Sequence, residues 1–173
     1  MKELNFYSKK STSFLLLLIS SIFVIAVIFL EDKMINFQEK PFKSVIIILS
    51  FLLFFFGIIF SILLLTRTKP LLTITNNHII IHSVLTSSKT VEIKNVKSFF
   101  IVNTYNRGIT TNRQIFIELH KPTENYTNTW LYKFISKISK PVANSQYAIQ
   151  TDFINIKQQE LLKILNKRIK NVV

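Results

Sequence analysis

The sequence predicts a two-helix transmembrane hairpin followed by a mostly β domain that carries an amphipathic helical insertion and a C-terminal helix. Three observations carry this. Residues 13–30 and 44–65 are long apolar runs without a charged side chain. From about residue 67 the composition turns mixed and basic, with the period-two alternation of strands. The last segment returns to helical spacing. The chain therefore divides into a membrane anchor, residues 1–66, and a second domain, residues 67–173.

The spans come first. At about 1.5 Å rise per residue, each run is long enough to cross a hydrocarbon core roughly 30 Å thick. Core helices of water-soluble proteins carry polar residues along one face, whereas the second run is broken only by Ser50, Gly57 and Ser61 after its first residue. Lys9 and Lys10 precede the first run as in a signal peptide, but the run exceeds the usual apolar stretch and no small-residue cleavage pattern follows it. Only residues 31–43 separate the runs, so the helices must be antiparallel. Gly57 and Ser61 lie four apart, a spacing that suits close packing against the first span or a homo-oligomer. Neither run contains an ionisable group, which argues for anchoring over transport.

Orientation follows from the short flanks. Lys2, Lys9, Lys10, Arg67 and Lys69 lie outside the hairpin, against Lys33, Lys40 and Lys43 in its loop, so both termini are expected in the cytoplasm of a bacterial inner membrane. Tyr7, Phe37 and Phe42 suit interfacial positions. The absence of cysteine excludes a disulfide scaffold.

The net charge is +13. Beyond residue 66 only Glu92, Glu118, Glu124, Asp152 and Glu160 oppose the lysines and arginines. Such a domain held beside a bilayer feels its anionic leaflet. Nucleic acid is not expected as a partner, because no recognition-helix, zinc or aromatic-basic RNA pattern is present. Of the two polyanions a lipid surface is the one expected, and a solvated basic surface is the alternative of equal weight.

In the second domain, residues 71–75 and 78–83 read as a hairpin around Asn76 and Asn77, since asparagine tolerates the left-handed conformation of a two-residue turn. Strands follow at 90–94, 96–102, 114–120 and 146–151, with a polar segment, 103–113, around Gly108. The closing helix starts near Asn155, with Gln158 placed as in a capping box, and groups Leu161, Leu162, Leu165, Ile169 and Val172 on one side. Lys163, Lys167 and Lys170 point elsewhere.

The insertion before the last strand is the candidate site. Trp130, Leu131, Phe134, Ile135 and Ile138 share helical spacing, with Lys133, Lys137 and Lys140 read as a stripe on the opposite side. Two roles fit: a helix packed over the sheet with its lysines in water, or an interfacial helix touching a membrane or partner. Arg107 and Arg113 flank the segment around Gly108 and would meet phosphate if that loop faces a membrane. His78 and His82 share one strand face about 13 Å apart, too far to share a metal ion, and read as edge-strand residues. No cofactor, metal or catalytic constellation is expected.

Short strands closed by one C-terminal helix follow the order of a pleckstrin-homology-like barrel. The chain resembles a widespread family of small bacterial membrane proteins with two N-terminal spans and such a domain. The resemblance rests on Tyr7-Ser8-Lys9-Lys10, on Lys69-Pro70-Leu71-Leu72-Thr73-Ile74, on Val91-Glu92-Ile93-Lys94-Asn95-Val96, and on the order of these segments. His78 and Val91 stand where the family commonly has glycine and an aromatic residue. The resemblance implies no catalytic or ligand-binding residues. The function expected is a non-enzymatic docking or scaffold module for a protein partner or an anionic lipid surface. The alternative is an immunity protein against a membrane-targeted antibacterial toxin.

Overall fold

The first strand lies ahead of the first apolar helix, where hydropathy conceals it. The computed structural model describes residues 3–35 and 38–170, with only the backbone described at 31–34, 106, 109 and 110. Lys2, Phe37 and Val172, named above, lie outside the described residues. Strand β1 (Leu4–Phe6) is followed by helices α1 (Lys10–Met34) and α2 (Pro41–Thr66). The chain forms two compact units, Ser8–Thr68 on the one hand and Met1–Tyr7 with Lys69–Val173 on the other. Residues 3–7 thus belong with the sheet unit and not with the apolar helices that follow them.

In the helical unit, both helices are long and apolar enough to cross a membrane. Small residues line the seam between them: Ser13, Ser20, Ser44 and Ser61 are all fully buried. Gly57 fits there because a Cβ at its position would lie 2.7 Å from Ser20 Oγ. Gly57 thus packs against the first helix, and Ser61 Oγ donates to Gly57 O at 2.7 Å within its own helix. Phe23 stacks on Phe54 at 4.1 Å between ring centroids. The surfaces away from the seam are exposed Ile, Leu and Phe.

The sheet unit continues with β2 (Leu72–Ile74), β3 (His78–Ile81), β4 (Lys89–Glu92), a 3-10 turn at Ile93–Asn95, β5 (Val96–Asn106) and β6 (Ile109–Leu119). After these come α3 (Glu124–Thr127), α4 (Trp130–Ile138), α5 (Lys140–Ala143), β7 (Tyr147–Gln150) and α6 (Gln158–Lys170). One sheet has the order β1-β2-β3-β4 and the other β5-β6-β7, with every pair antiparallel. Leu4 faces Ile74 and Phe6 faces Leu72, so the hairpin is inserted in the connection between two paired strands.

The Asn76 and Asn77 turn is present, but neither residue is left-handed, since Arg107 is the only described non-glycine residue with positive φ. The Thr75 hydroxyl closes the turn by accepting from His78 N at 3.0 Å and donating to His78 O at 3.1 Å. The left-handed turn is instead Arg107 and Gly108, with φ of 49° and 81°, the pair a two-residue type I′ hairpin demands. Segment 103–113, read as a polar loop, is therefore the far end of a long hairpin. Polar side chains are tolerated there because that end extends past the core. β3 pairs with strands on both sides, so His78 lies on an interior strand, not an edge.

The core is made by Leu72, Ile74 and Ile79 of one sheet, Ile115, Ile117 and Ile149 of the other, and Leu161 and Leu165 of α6, all at most 1% exposed. Helix α6 begins three residues later than expected. Gln158 does not serve a capping box; its Nε2 donates to Asn103 Oδ1 and to Gln114 O, both at 3.1 Å. Ile169 is half-buried. The buried face runs through Leu161, Leu165 and Arg168, the last donating to Asn76 Oδ1 at 2.9 Å.

Candidate functional site

Segment 123–146 is built to hold one short helix in a set orientation. Thr129 caps α4: its hydroxyl accepts from Tyr132 N at 3.2 Å and donates to Tyr126 O at 2.7 Å. Such a cap satisfies an amide the first turn cannot. At the other end Ser139 turns extended, with φ −152° and ψ 107°, and Pro141 opens α5. Tyr132 Oη donates to Asn144 Oδ1 at 3.1 Å, and Tyr126 meets the Tyr132 ring edge-on at 5.5 Å. Burial and the neighbouring Tyr132 push the Tyr126 hydroxyl above its ordinary pKa. Both ends of the insertion are tied down, by Leu119 N donating to Asn144 O and by the Gln146 amide bonding with Thr123.

The side of α4 that bears Tyr132, Ile135 and Ser136 faces inward. Tyr132, Ser136 and Ile135 are half-buried, whereas Trp130 is 76% exposed, Phe134 57% and Ile138 74%. α4 packs chiefly on α5 and α3 and not on the sheet. The expectation of a cationic stripe opposite the apolar side needs correcting. At about 100° per residue, Lys133 and Lys137 fall roughly 60° and 20° from Trp130, on the flank of the exposed apolar stripe. All three lysines are exposed, with Lys140 in α5 just beyond. Val142 of α5 is exposed as well. Sequence periodicity missed it because Ser139 breaks the helix.

Trp130, Lys133, Phe134, Lys137 and Lys140 are thus gathered in one insertion, while Arg107 and Arg113 belong to the β5-β6 hairpin. Arg107 occupies its turn and Arg113 pairs with Asn103, about 14 Å away along the strand, so the two arginines do not converge. Arg113 borders a shallow cavity of about 420 Å³ lined also by Lys157, Gln158, Gln159, Glu160 and Lys163. Sequence reading missed this grouping, which exists only because α6 packs against β6.

Two polar clusters lie elsewhere. Glu118, 5% exposed, accepts from Lys97 Nζ at 2.8 Å and from Ser98 Oγ at 2.6 Å across the bulge between Val96 and Ser98. Burial pushes its carboxyl up, but these hydrogen bonds and the charges of Lys97 and His120 outweigh that and hold it below its ordinary pKa. His82 lies 3.2 Å from Thr73 Oγ1 through Nε2 and 3.0 Å from Ser88 Oγ through Nδ1. Thr73 in turn donates to Asn5 Oδ1 at 2.7 Å, which ties the N-terminal strand into its sheet. Among the described residues, no three His, Asp or Glu side chains are grouped to hold a metal ion.

No family model, no curated protein and no solved structure matches this chain.

Proposed function

We propose that this protein is an integral membrane docking module without catalytic activity. In this reading its hairpin crosses a bacterial inner membrane, both termini are cytoplasmic, and the side of α4 bearing Trp130, Phe134 and Ile138 is the docking surface. The observation that carries it is the exposure of one side of α4: a capped helix held by the domain through Tyr132, Ile135 and Ser136 while Trp130, Phe134 and Ile138 stay in the open. Contiguous exposed apolar surface of that kind marks interaction sites. The seven strands in a four-plus-three arrangement closed by α6 support reading the sheet unit as a pleckstrin-homology-like barrel, with the hairpin inserted after its first strand. That insertion requires both ends of the hairpin to return to the same side of a bilayer, and the cation bias favours the cytoplasmic side.

Two measurements on the full chain in its native membrane test the proposal. A photo-crosslinking amino acid at Phe134 is expected to form adducts that one at the exposed Ser87 does not. Equal or absent adducts at both positions would remove the docking surface. Single cysteines at Asn36 and Ser87 should be distinguished by an impermeant thiol reagent on intact cells, or on spheroplasts where an outer membrane is present, with only Asn36 reacting. Reaction at Ser87 alone would invert the topology.

A further inference from the structure

Taking α4 as the docking surface, we infer that its occupant is the anionic lipid surface of the bilayer that the hairpin crosses. Charge is the first argument. Between Glu124 and Asp152 the chain has no acidic residue, so within the insertion Glu124 alone stands against Lys133, Lys137 and Lys140. They flank the apolar stripe and do not oppose it. This is the order a headgroup layer demands, with Trp130, Phe134 and Ile138 entering the acyl boundary and the lysines reaching outward to phosphates beside them.

Tether length is the second argument. The sheet unit extends to Tyr7, whose carbonyl accepts from Asn155 N, and α1 begins at Lys10. On the other side α2 ends at Thr66, and Leu71 N already donates to Phe6 O. At about 3.5 Å per extended residue, connections of this length let the points of attachment lie no farther than roughly 15 Å from the helix ends. Such short connections hold the domain beside the leaflet at a high effective concentration, so that a basic surface which turns toward the bilayer meets its anionic charge. A protein partner must arrive by diffusion, whereas the bilayer is always present at this short tether.

Trp130 is the chain's single tryptophan and reports on the contact directly. The experiment uses the full chain reconstituted in vesicles, with bromine-labelled lipid tails as the quencher. In phosphatidylglycerol-containing vesicles, Trp130 emission should shift to the blue and be quenched. Raising salt from 0.1 M to 1 M, which contracts the Debye length from ~10 Å to ~3 Å, should reduce the quenching severalfold. The triple variant Lys133→Gln, Lys137→Gln, Lys140→Gln changes only exposed side chains and should show the same loss at low salt. Red, unquenched emission from chain that remains vesicle-integrated overturns the inference. A protein adduct at Phe134 in native membranes would then stand with a docking surface of another kind. Equal quenching in vesicles of phosphatidylcholine alone overturns the commitment to an anionic surface.

Discussion

Lys10, at the start of α1, donates through Nζ to the carbonyl of Leu64 near the end of α2, at 3.0 Å. The same ammonium reaches Leu65 O at 2.6 Å and Arg67 O at 3.0 Å, and Ser8 Oγ adds a bond to Leu64 O at 2.9 Å. One helix start thereby caps the other helix end. A cation there meets both the unsatisfied carbonyls and the negative end of the helix dipole. Lys10→Met should lower hairpin stability by about 1 kcal/mol, the scale of a charged hydrogen bond near a surface. Unfolding of the full chain in mixed micelles, followed by helical circular dichroism, measures it.

Gly57 faces Ser20 across the hairpin seam, where an added Cβ would meet Ser20 Oγ at 2.7 Å, and Ser20 Oγ is buried without a hydrogen-bond partner. Gly57→Ala should therefore cost no more than about 1.5 kcal/mol, because the hydroxyl can rotate away at the price of an unfavourable rotamer. The same change in a Ser20→Ala background should cost nothing, since the remaining neighbour, Ser20 Cβ, lies at an ordinary 3.5 Å. Gly57→Leu should be disruptive in both backgrounds. A double-mutant cycle in micelles reads the coupling.

Glu118 makes the sheet unit sensitive to acid. Its folded pKa lies below the ordinary value of 4.5, so the unfolded chain takes up the proton more readily. Its contribution is complete above that ordinary value and is lost as pH falls through the lower folded one. Unfolding midpoints measured downward from pH 5 should fall for the native chain and fall less for Glu118→Gln. At neutral pH, Lys97→Met should cost about 1–3 kcal/mol by leaving the buried carboxylate to Ser98 alone.

Leu165 is fully buried where α6 closes on the sheets. Leu165→Ala should destabilise the sheet unit by roughly 2–5 kcal/mol through lost burial and a residual cavity. Leu162→Ala, at a half-buried position one residue from Leu161, should cost distinctly less. Chemical denaturation of the full chain in micelles compares them.

Legibility in the sequence followed the range of the interactions involved. The two apolar helices, the Thr75 to His78 turn and the Leu161 and Leu165 face each follow from side chains within a few residues of one another. Strand β1 did not, because Leu4 to Phe6 becomes a strand only by pairing with Leu72 to Ile74 across the whole hairpin. Segment 103–113 also escaped, since its polarity resembles a loop until the Arg107 and Gly108 turn folds it back on itself.

The candidate site divides in the same way. By itself the sequence determined that α4 is amphipathic, because hydrophobic period and lysine spacing are properties of a single helix. Only the tertiary structure decided which side of that helix faces the domain. Periodicity says nothing of what is packed against a face; the Tyr132 to Asn144 bond and the ties at Thr123 and Leu119 hold the Tyr132 side inward and leave Trp130 in the open.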